Sequence, residues 1–247
     1  MGKLMTILIV PDIHHHTENA DYWLKSQKFD RAIFLGDYFD DHDDNANDAR
    51  KTALWLRDRM DATEDVFLLG NHDAAYLFPH CDELHCPGFT KAKSQAIRET
   101  LLPKHWQRFK LAHEEQGWLL SHAGFHPAWM DDPAVPKILR RCDTAMAIAR
   151  AGKVDPILGY GEKPGGVQRF GGPLWMAWEN FLPIDGINQI VGHSAEDCVR
   201  EQNTDRSRNV CIDVKNASVA AILTNGELRI LDRANEPLPR NGGNNIS

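Results

Sequence analysis

Ala32-Ile33-Phe34-Leu35-Gly36-Asp37-Tyr38-Phe39-Asp40 is an apolar run that stops on a glycine and a carboxylate. Four consecutive apolar residues bounded by a Gly-Asp turn signal read as a buried strand. A strand that ends so abruptly hands its next side chains to the carboxyl edge of a sheet, where α/β proteins bind ligands. The construction recurs along the chain. Met5–Val10 leads to Asp12-Ile13-His14, and Val66–Leu69 leads to Gly70-Asn71-His72-Asp73. Trp118–Leu120 leads to Ser121-His122-Ala123-Gly124, and Ile187–Val191 to Gly192-His193. Five deliveries to one edge would build one polar site.

Helical periodicity fills the early gaps. Glu18–Gln27 places Tyr22, Trp23 and Leu24 on one side, and Asn47–Met60 repeats Ala53, Leu54, Leu56 and Met60 with charges opposite. Strand alternating with helix implies a layered α/β fold. Pro79, Pro87-Gly88 and Pro103 punctuate residues 79–116, which read as an insertion with two short helices. Pro133–Ala151 reads as a helix stopped by Gly152, and the Gly/Pro-rich segment 159–173 as a loop over the site. The chain then turns to β: Asn209–Val214, Ser218–Leu223 and Glu227–Leu231, with Asn225-Gly226 a hairpin signal. One domain over residues 1–234 is expected, with 79–116 and 152–173 on the substrate side and a polar tail at 235–247.

Composition narrows the function classes. A net charge of −7 disfavours a surface that holds nucleic acid by neutralising phosphates, so no stable nucleic-acid partner is expected. No apolar stretch approaches the ~18–20 residues a membrane span needs, and the N-terminus shows no signal-peptide pattern. Five cysteines without a framework spacing point to a reduced, cytoplasmic setting. Nothing in the residues speaks to the oligomeric state.

Asp12, His14, Asp37, Asn71, His122 and His193 together offer mixed oxygen and nitrogen ligands. That mixture suits Mn, Fe or Zn better than Ca or Mg, and lacks the thiolates of a structural zinc site. Six ligands exceed the needs of one tetrahedral ion, whereas two divalent ions sharing a carboxylate would use them all. Taken singly, each has a plain alternative: Asp12 or Asp37 could simply cap a helix.

The ordered set resembles the calcineurin-like metallophosphoesterase superfamily, and within it the phosphoprotein-phosphatase-like branch of bacterial or phage type. Gly36-Asp37-Tyr38-Phe39-Asp40 and Gly70-Asn71-His72-Asp73 match that family's second and third signatures, and Gly172-Pro173-Leu174-Trp175 resembles a segment preceding the last histidine in bacterial members. The resemblance implies a four-layer α/β/β/α sandwich with a dinuclear metal site at the carboxyl ends of the strands. It implies that Asp12 and His14 hold the first metal, that Asp37 bridges, and that Asn71, His122 and His193 hold the second. His72 would be the general acid, with Asp73 raising its pKa and fixing its tautomer. Asp40 would support Asp37 or a water. The implied activity is phosphoester hydrolysis by a metal-bridging hydroxide, with a phosphomonoester as first substrate class and a small-molecule or nucleotide diester as the alternative. A metal-bearing binding protein whose catalysis has decayed is a further reading, as is a single-strand nuclease.

Two departures bear on the substrate. The phosphatase pattern has an arginine after the second aspartate of Gly-Asp-x-x-Asp, where this chain has Asp41-His42. Many diesterase members carry a second histidine two residues after the last motif's first, where this chain has Ala195. Arg169 is the candidate replacement cation, and His126 a candidate pocket residue that could equally begin a turn at Pro127. The acidic run Asp40–Asp48 would repel a polyanion. His15 and His16 read as solvated loop residues, His80-Cys81 and His85-Cys86 as free thiols rather than a second zinc site. Trp175, Trp178 and Phe181 read as packing, and Asp213 as either a brace for a ligand histidine or a strand-end hydrogen bond.

Overall fold

A computed structural model describes residues 5–160, 170–215 and 218–235. Three parallel neighbours, β1 (Thr6–Val10), β2 (Arg31–Phe34) and β3 (Val66–Leu68), start the first sheet. Helices α1 (Thr17–Ser26) and α2 (Ala46–Ala62) make the crossovers that parallel pairing demands. The C-terminal hairpin of β10 (Val219–Thr224) and β11 (Glu227–Asp232) pairs antiparallel on the free side of β1. Its turn residues Asn225 and Gly226 have φ of 51° and 81°, the left-handed pair of a type I′ turn. With β4 (Phe109–Lys110) beside β3, the order is β11-β10-β1-β2-β3-β4. The second sheet runs β5-β6-β7-β9-β8, from β5 (Ala112–Glu115), β6 (Trp118–Ser121), β7 (Asn188–Val191), β9 (Asn209–Cys211) and β8 (Arg200–Glu201).

Alternation along β1 assigns each layer. Ile7 and Ile9 pack with Ile33, Leu68, Trp118, Leu120 and Ile190, which places them between the two sheets. Leu8 and Val10 join Phe34, Phe67, Trp23 of α1 and Leu56 of α2 on the helical side. Both faces of β1 are therefore dry, which is why it reads as an unbroken apolar run rather than an alternating one. Each fully buried Ile or Leu contributes roughly 1.5–3 kcal/mol, enough to fix the register that aims the strand ends. On the other flank, α6 (Val135–Arg150) buries Ile138, Cys142, Ala145, Met146 and Ala149 at helical spacing and packs beside β5. The fold is thus α/β with two mixed sheets between helices.

The segment 79–116 holds the two short helices expected of it, α4 (Lys91–Thr100) and α5 (Pro103–Trp106). Its end, however, supplies β4 and β5, one edge strand to each sheet. Edge strands of two and four residues with exposed lysine and glutamate carry too little apolar pattern to read from sequence. Among the described residues no helix is long and apolar enough to cross a membrane, and the five cysteines are free.

Candidate metal centre and active site

The carboxyl ends of β1, β2, β3, β6 and β7 meet at one edge, with α3 (Asn71–Leu77) starting directly there. Three of the side chains delivered sit on left-handed backbone: His14 at φ 43°, Asp37 at 48° and His193 at 69°. Such conformations cost about 1–3 kcal/mol apiece and persist only where neighbours fix them. Here Ile13 and His14 donate their N–H groups to Asp37 O at 3.0 and 2.8 Å, and His193 N–H reaches Asp12 Oδ1 at 3.2 Å. Gly192 is required by the same closeness, because a Cβ there would lie 2.2 Å from Asp12 Oδ1.

Asp37 stands between two groups of ligand atoms. Asp12, His14 and Asp37 offer atoms within 4.8 Å of one another, and so do Asp37, His122 and His193. Asp37 Oδ2 is 3.6 Å from His14 Nε2 and 3.4 Å from His122 Nε2. His122 Nε2 in turn faces His193 Nδ1 at 3.1 Å and the Asn71 amide at 2.9 Å. The far nitrogens are committed elsewhere: His14 Nδ1 to Asp40 O at 2.6 Å and His122 Nδ1 to Leu35 O at 3.1 Å. An imidazole that donates one N–H to a carbonyl and turns its other nitrogen toward carboxylates is set up as a metal ligand. Two ring nitrogens, an amide and a carboxylate thus crowd one spot. The donor chemistry fits a pair of borderline divalent ions around Asp37.

Electrostatics agree with that fit. Burial works to raise the Asp37 carboxyl, but His122, His72 and His14 overrule it and hold it below the usual carboxylate range. Burial works to lower His122, yet Asp37 and Asp12 lift it to about 9. Burial and the charge on His122 drop His193 to about 3. Asp12 is raised, chiefly by burial. Against its burial, Asp37 and Asp12 raise His14 as well, so the acids of the cage draw positive charge onto an imidazole in each ligand group, where cations would sit.

His72, in the first turn of α3, donates its backbone N–H to Asp37 Oδ1 at 2.9 Å. Its ring is not held by Asp73, contrary to the sequence expectation. Asp73 is fully buried and accepts from Gly70 N–H and Tyr38 N–H, both at 2.9 Å, bracing the second and third motif loops together. Burial, then Asp37, pushes its carboxyl up to about 7. Successive residues of a helix project about 100° apart, so Asp73 cannot follow the ring of its neighbour. Asp40 takes the role instead, with Oδ2 3.1 Å from His72 Nδ1. Burial opposes protonation of His72, but the Asp40 bond, then Cys86, raises it to about 11. Asp40 is anchored by Tyr76 Oη and by Lys93 Nζ at 2.7 Å. Lys93, only 2% exposed on α4, also binds Asp44 at 2.8 Å. Nothing in the sequence singled out Lys93 or Tyr76, because a lysine within a charged helix reads as solvated, and Cys86 reads there only as a free thiol of the insertion.

An open cleft of about 940 Å³ lies over this centre, lined among others by Asp12, His14, His72, His193, Asp41 and Asp213. His15 is not a solvated loop residue: its ring bonds Thr52 Oγ1 and Asp44 Oδ2, both at 2.8 Å. His16 faces the cleft beside Asp41, 3.0 Å away. His126 is buried away from the cleft lining, accepts from Ala128 N–H at 3.0 Å and stacks on Phe170 at 3.9 Å. Arg169 lies outside the described residues. Trp178 and Phe181 stack on each other in the interior, as packing, while the Trp175 ring sits 5.9 Å from that of His193. Asp213 lines the cleft, with its carboxyl pushed well up by burial and by Asp12. His80 bonds Ala149 O and His85 stacks on Phe89, so the two His-Cys pairs build no joint site.

The family model for calcineurin-like phosphoesterases matches residues 5–197. A symmetrical bis(5'-nucleosyl)-tetraphosphatase from Methylococcus capsulatus is 31% identical over 157 residues, 62% of this chain and 49% of that protein. The match thus spans about half the length of that relative. A solved structure described as a candidate diadenosine tetraphosphatase superposes with a TM-score of 0.52 at 16% identity, covering 94% of this chain and 95% of the other. A protein serine/threonine phosphatase from Saccharomyces cerevisiae gives 0.52 at 10% identity, covering 92% and 79%. At those identities the structures speak for the fold alone. With most of its length matched by the family model, the chain belongs to the calcineurin-like phosphoesterase family.

Proposed function

We propose that this calcineurin-like phosphoesterase is a metal-dependent hydrolase in which His72 protonates the leaving oxygen, and that the phosphoryl group it attacks carries a single negative charge. The observation that carries the reading is the position of Asp37. Its Oδ2 belongs to both ligand groups while its Oδ1 fixes the start of α3, which bears His72. Asp12 and His14 on one side, and Asn71, His122 and His193 on the other, would hold two divalent ions, manganese being the first to try. When bound, such ions polarise the phosphoryl oxygens and supply an activated water.

The chain's own residues do the rest. Asp40 binds Nδ1 of His72, which leaves Nε2 for the proton that the departing oxygen needs. Asp73 keeps Gly70 and Tyr38 in place, so the ring stays in register with Asp37. The carbonyls of Leu35 and Asp40 hold the tautomers of His122 and His14.

Substrate charge follows from the lining of the cleft. Asp40 and Asp41 face it, Asp213 beside them adds little charge because burial and Asp12 push its carboxyl well up, and Lys215 at its rim is paired with Asp197 at 3.1 Å. Carboxylates there penalise a monoester dianion more than a monoanionic diester. The monoester that the signatures suggest therefore takes second place. A third substrate class, an internal anhydride of a dinucleoside polyphosphate, is favoured by the tetraphosphatase relative. Its internal phosphoryl groups are also singly charged, although its total charge is high.

The test is a rate panel on the manganese-loaded protein: an aryl diester, an aryl monoester, diadenosine tetraphosphate and a phosphopeptide. Faster turnover of the diester or the tetraphosphate than of the monoester supports the reading. A monoester turned over faster than both would overturn the charge argument. Metal uptake without turnover of any of the four would favour a binding protein.

A further inference from the structure

Cys86 comes from the 79–116 segment, yet its thiol lies against the acid of the active site. Sγ is 3.4 Å from His72 Nδ1, and that nitrogen is 3.1 Å from Asp40 Oδ2. The three ligand atoms fall within 4.8 Å of one another. The approach is fixed by the backbone: Gly88 sits so near that a Cβ would be 2.9 Å from Asp40 Cγ. Pro87 and Gly88 border the open cleft, so an ion has a route in.

We propose that Cys86 Sγ, His72 Nδ1 and Asp40 Oδ2 form a separate site for a soft divalent cation of the zinc type, and that filling it inhibits the enzyme. Zinc bonds of about 2.0–2.3 Å at tetrahedral angles put neighbouring N and O ligands ~3.4 Å apart and N and S ligands ~3.6 Å apart. The distances found are within a few tenths of an ångström of both. A thiolate, an imidazole and a carboxylate select a soft or borderline ion over magnesium or manganese. The charges also balance: the dication, with Lys93, meets Asp40, Asp44 and the thiolate. Lys93 and Tyr76 occupy only Oδ1 of Asp40, which leaves Oδ2 for the ion. On binding, Cys86 gives its thiol proton, and His72 its Nδ1 proton, to the solvent as the coordinate bonds form. His72 then loses the Asp40 contact that orients it. The site shares no residue with the six-ligand centre built on Asp37.

The inhibitory half rests on the hydrolase reading above, whereas the binding half does not, and two readouts keep them apart. Manganese-loaded protein is titrated with cadmium, whose bond to a thiolate absorbs in the near ultraviolet. The centre around Asp37 has no thiol and adds nothing to that band. The expected result is a band saturating near one equivalent, lost in Cys86→Ser and Cys86→Ala and kept in Cys198→Ser. His72→Asn should weaken cadmium binding at least tenfold. A band of wild-type size in folded Cys86→Ser, judged by its thermal midpoint, would sink the site. In the rate assay, zinc should inhibit the wild type at concentrations at least tenfold below those needed for Cys86→Ser. Equal inhibition of the two overturns the inhibitory role. A protein with no turnover before zinc is added tells against the hydrolase reading, while the cadmium band still decides the site.

Discussion

Asp40 Oδ2 stands 3.1 Å from His72 Nδ1, while Oδ1 of the same carboxylate takes Lys93 Nζ at 2.7 Å. One carboxylate thus couples the proposed acid to a buried cation on α4. Removing it should uncouple protonation of the leaving group from metal binding. Asp40→Asn is expected to slow esters of poor leaving groups by about 10²–10⁴ and activated aryl esters far less, with metal content unchanged. Equal slowing of both, or lost metal, would assign Asp40 to the metal cage instead.

Lys93→Met leaves Asp40 and Asp44 buried without their shared cation, a change that typically costs about 3–5 kcal/mol. A thermal midpoint well below wild type is expected, together with the leaving-group sensitivity of Asp40→Asn. The double variant should be little slower than either single one, because both remove the same support of His72. Additive losses in a double-mutant cycle would separate the two residues.

Chelation should destabilise the fold, since an ion bound only by the native cage adds about 2.7 kcal/mol at a hundredfold excess over its Kd. For a domain of this size that is roughly 5–10 °C in Tm. Differential scanning in manganese against chelator should show the gap in wild type and lose it in Asp37→Asn. An unchanged midpoint would argue that the cage holds no ion.

Gly192→Ala places a methyl group 2.2 Å from Asp12 Oδ1, so the carboxylate must move. Overpacking of this kind costs about 1–3 kcal/mol, and the displaced ligand should weaken uptake of the first metal. Calorimetric titration with manganese reads both sites. Wild-type stoichiometry and affinity would mean that Asp12 is not a ligand.

Acid stability gives a prediction far from the centre. Burial works to raise Asp155, but the Arg141 guanidinium, at 2.8 Å, and the Ile157 N–H hold its carboxyl below its ordinary 3.8. A depressed folded pKa contributes stability above the unfolded value and loses it as the pH falls through the folded one. Asp155→Asn should therefore lower the urea midpoint at pH 7, and the gap to wild type should close in acid, as the pH falls below 3.8 and through the lowered folded value. A gap that persists there would mean the loss is packing.

The five strand ends were legible because each strand is buried on both faces, as Ile7 and Leu8 show, and so leaves an unbroken apolar run. The hairpin at Asn225-Gly226 was legible because few residues accept its backbone. The edge strands Phe109–Lys110 and Ala112–Glu115 were not, since they are short and half polar. Asp73 looked like the partner of His72 by adjacency, yet its carboxylate turns to the backbone of Tyr38 and Gly70. His15 looked solvated, yet it ties Thr52 to Asp44.

Sequence alone determined which side chains arrive at the carboxyl edge, because a motif that ends a strand is carried there by the strand itself. Tertiary structure alone decided which of them touch. Asp40 meets His72 across 32 positions, Lys93 meets Asp40 across 53, and Cys86 reaches His72 from a separate loop. Hydrogen bonds and ion pairs act over about 3 Å, and no local pattern encodes which distant residues packing will bring that close.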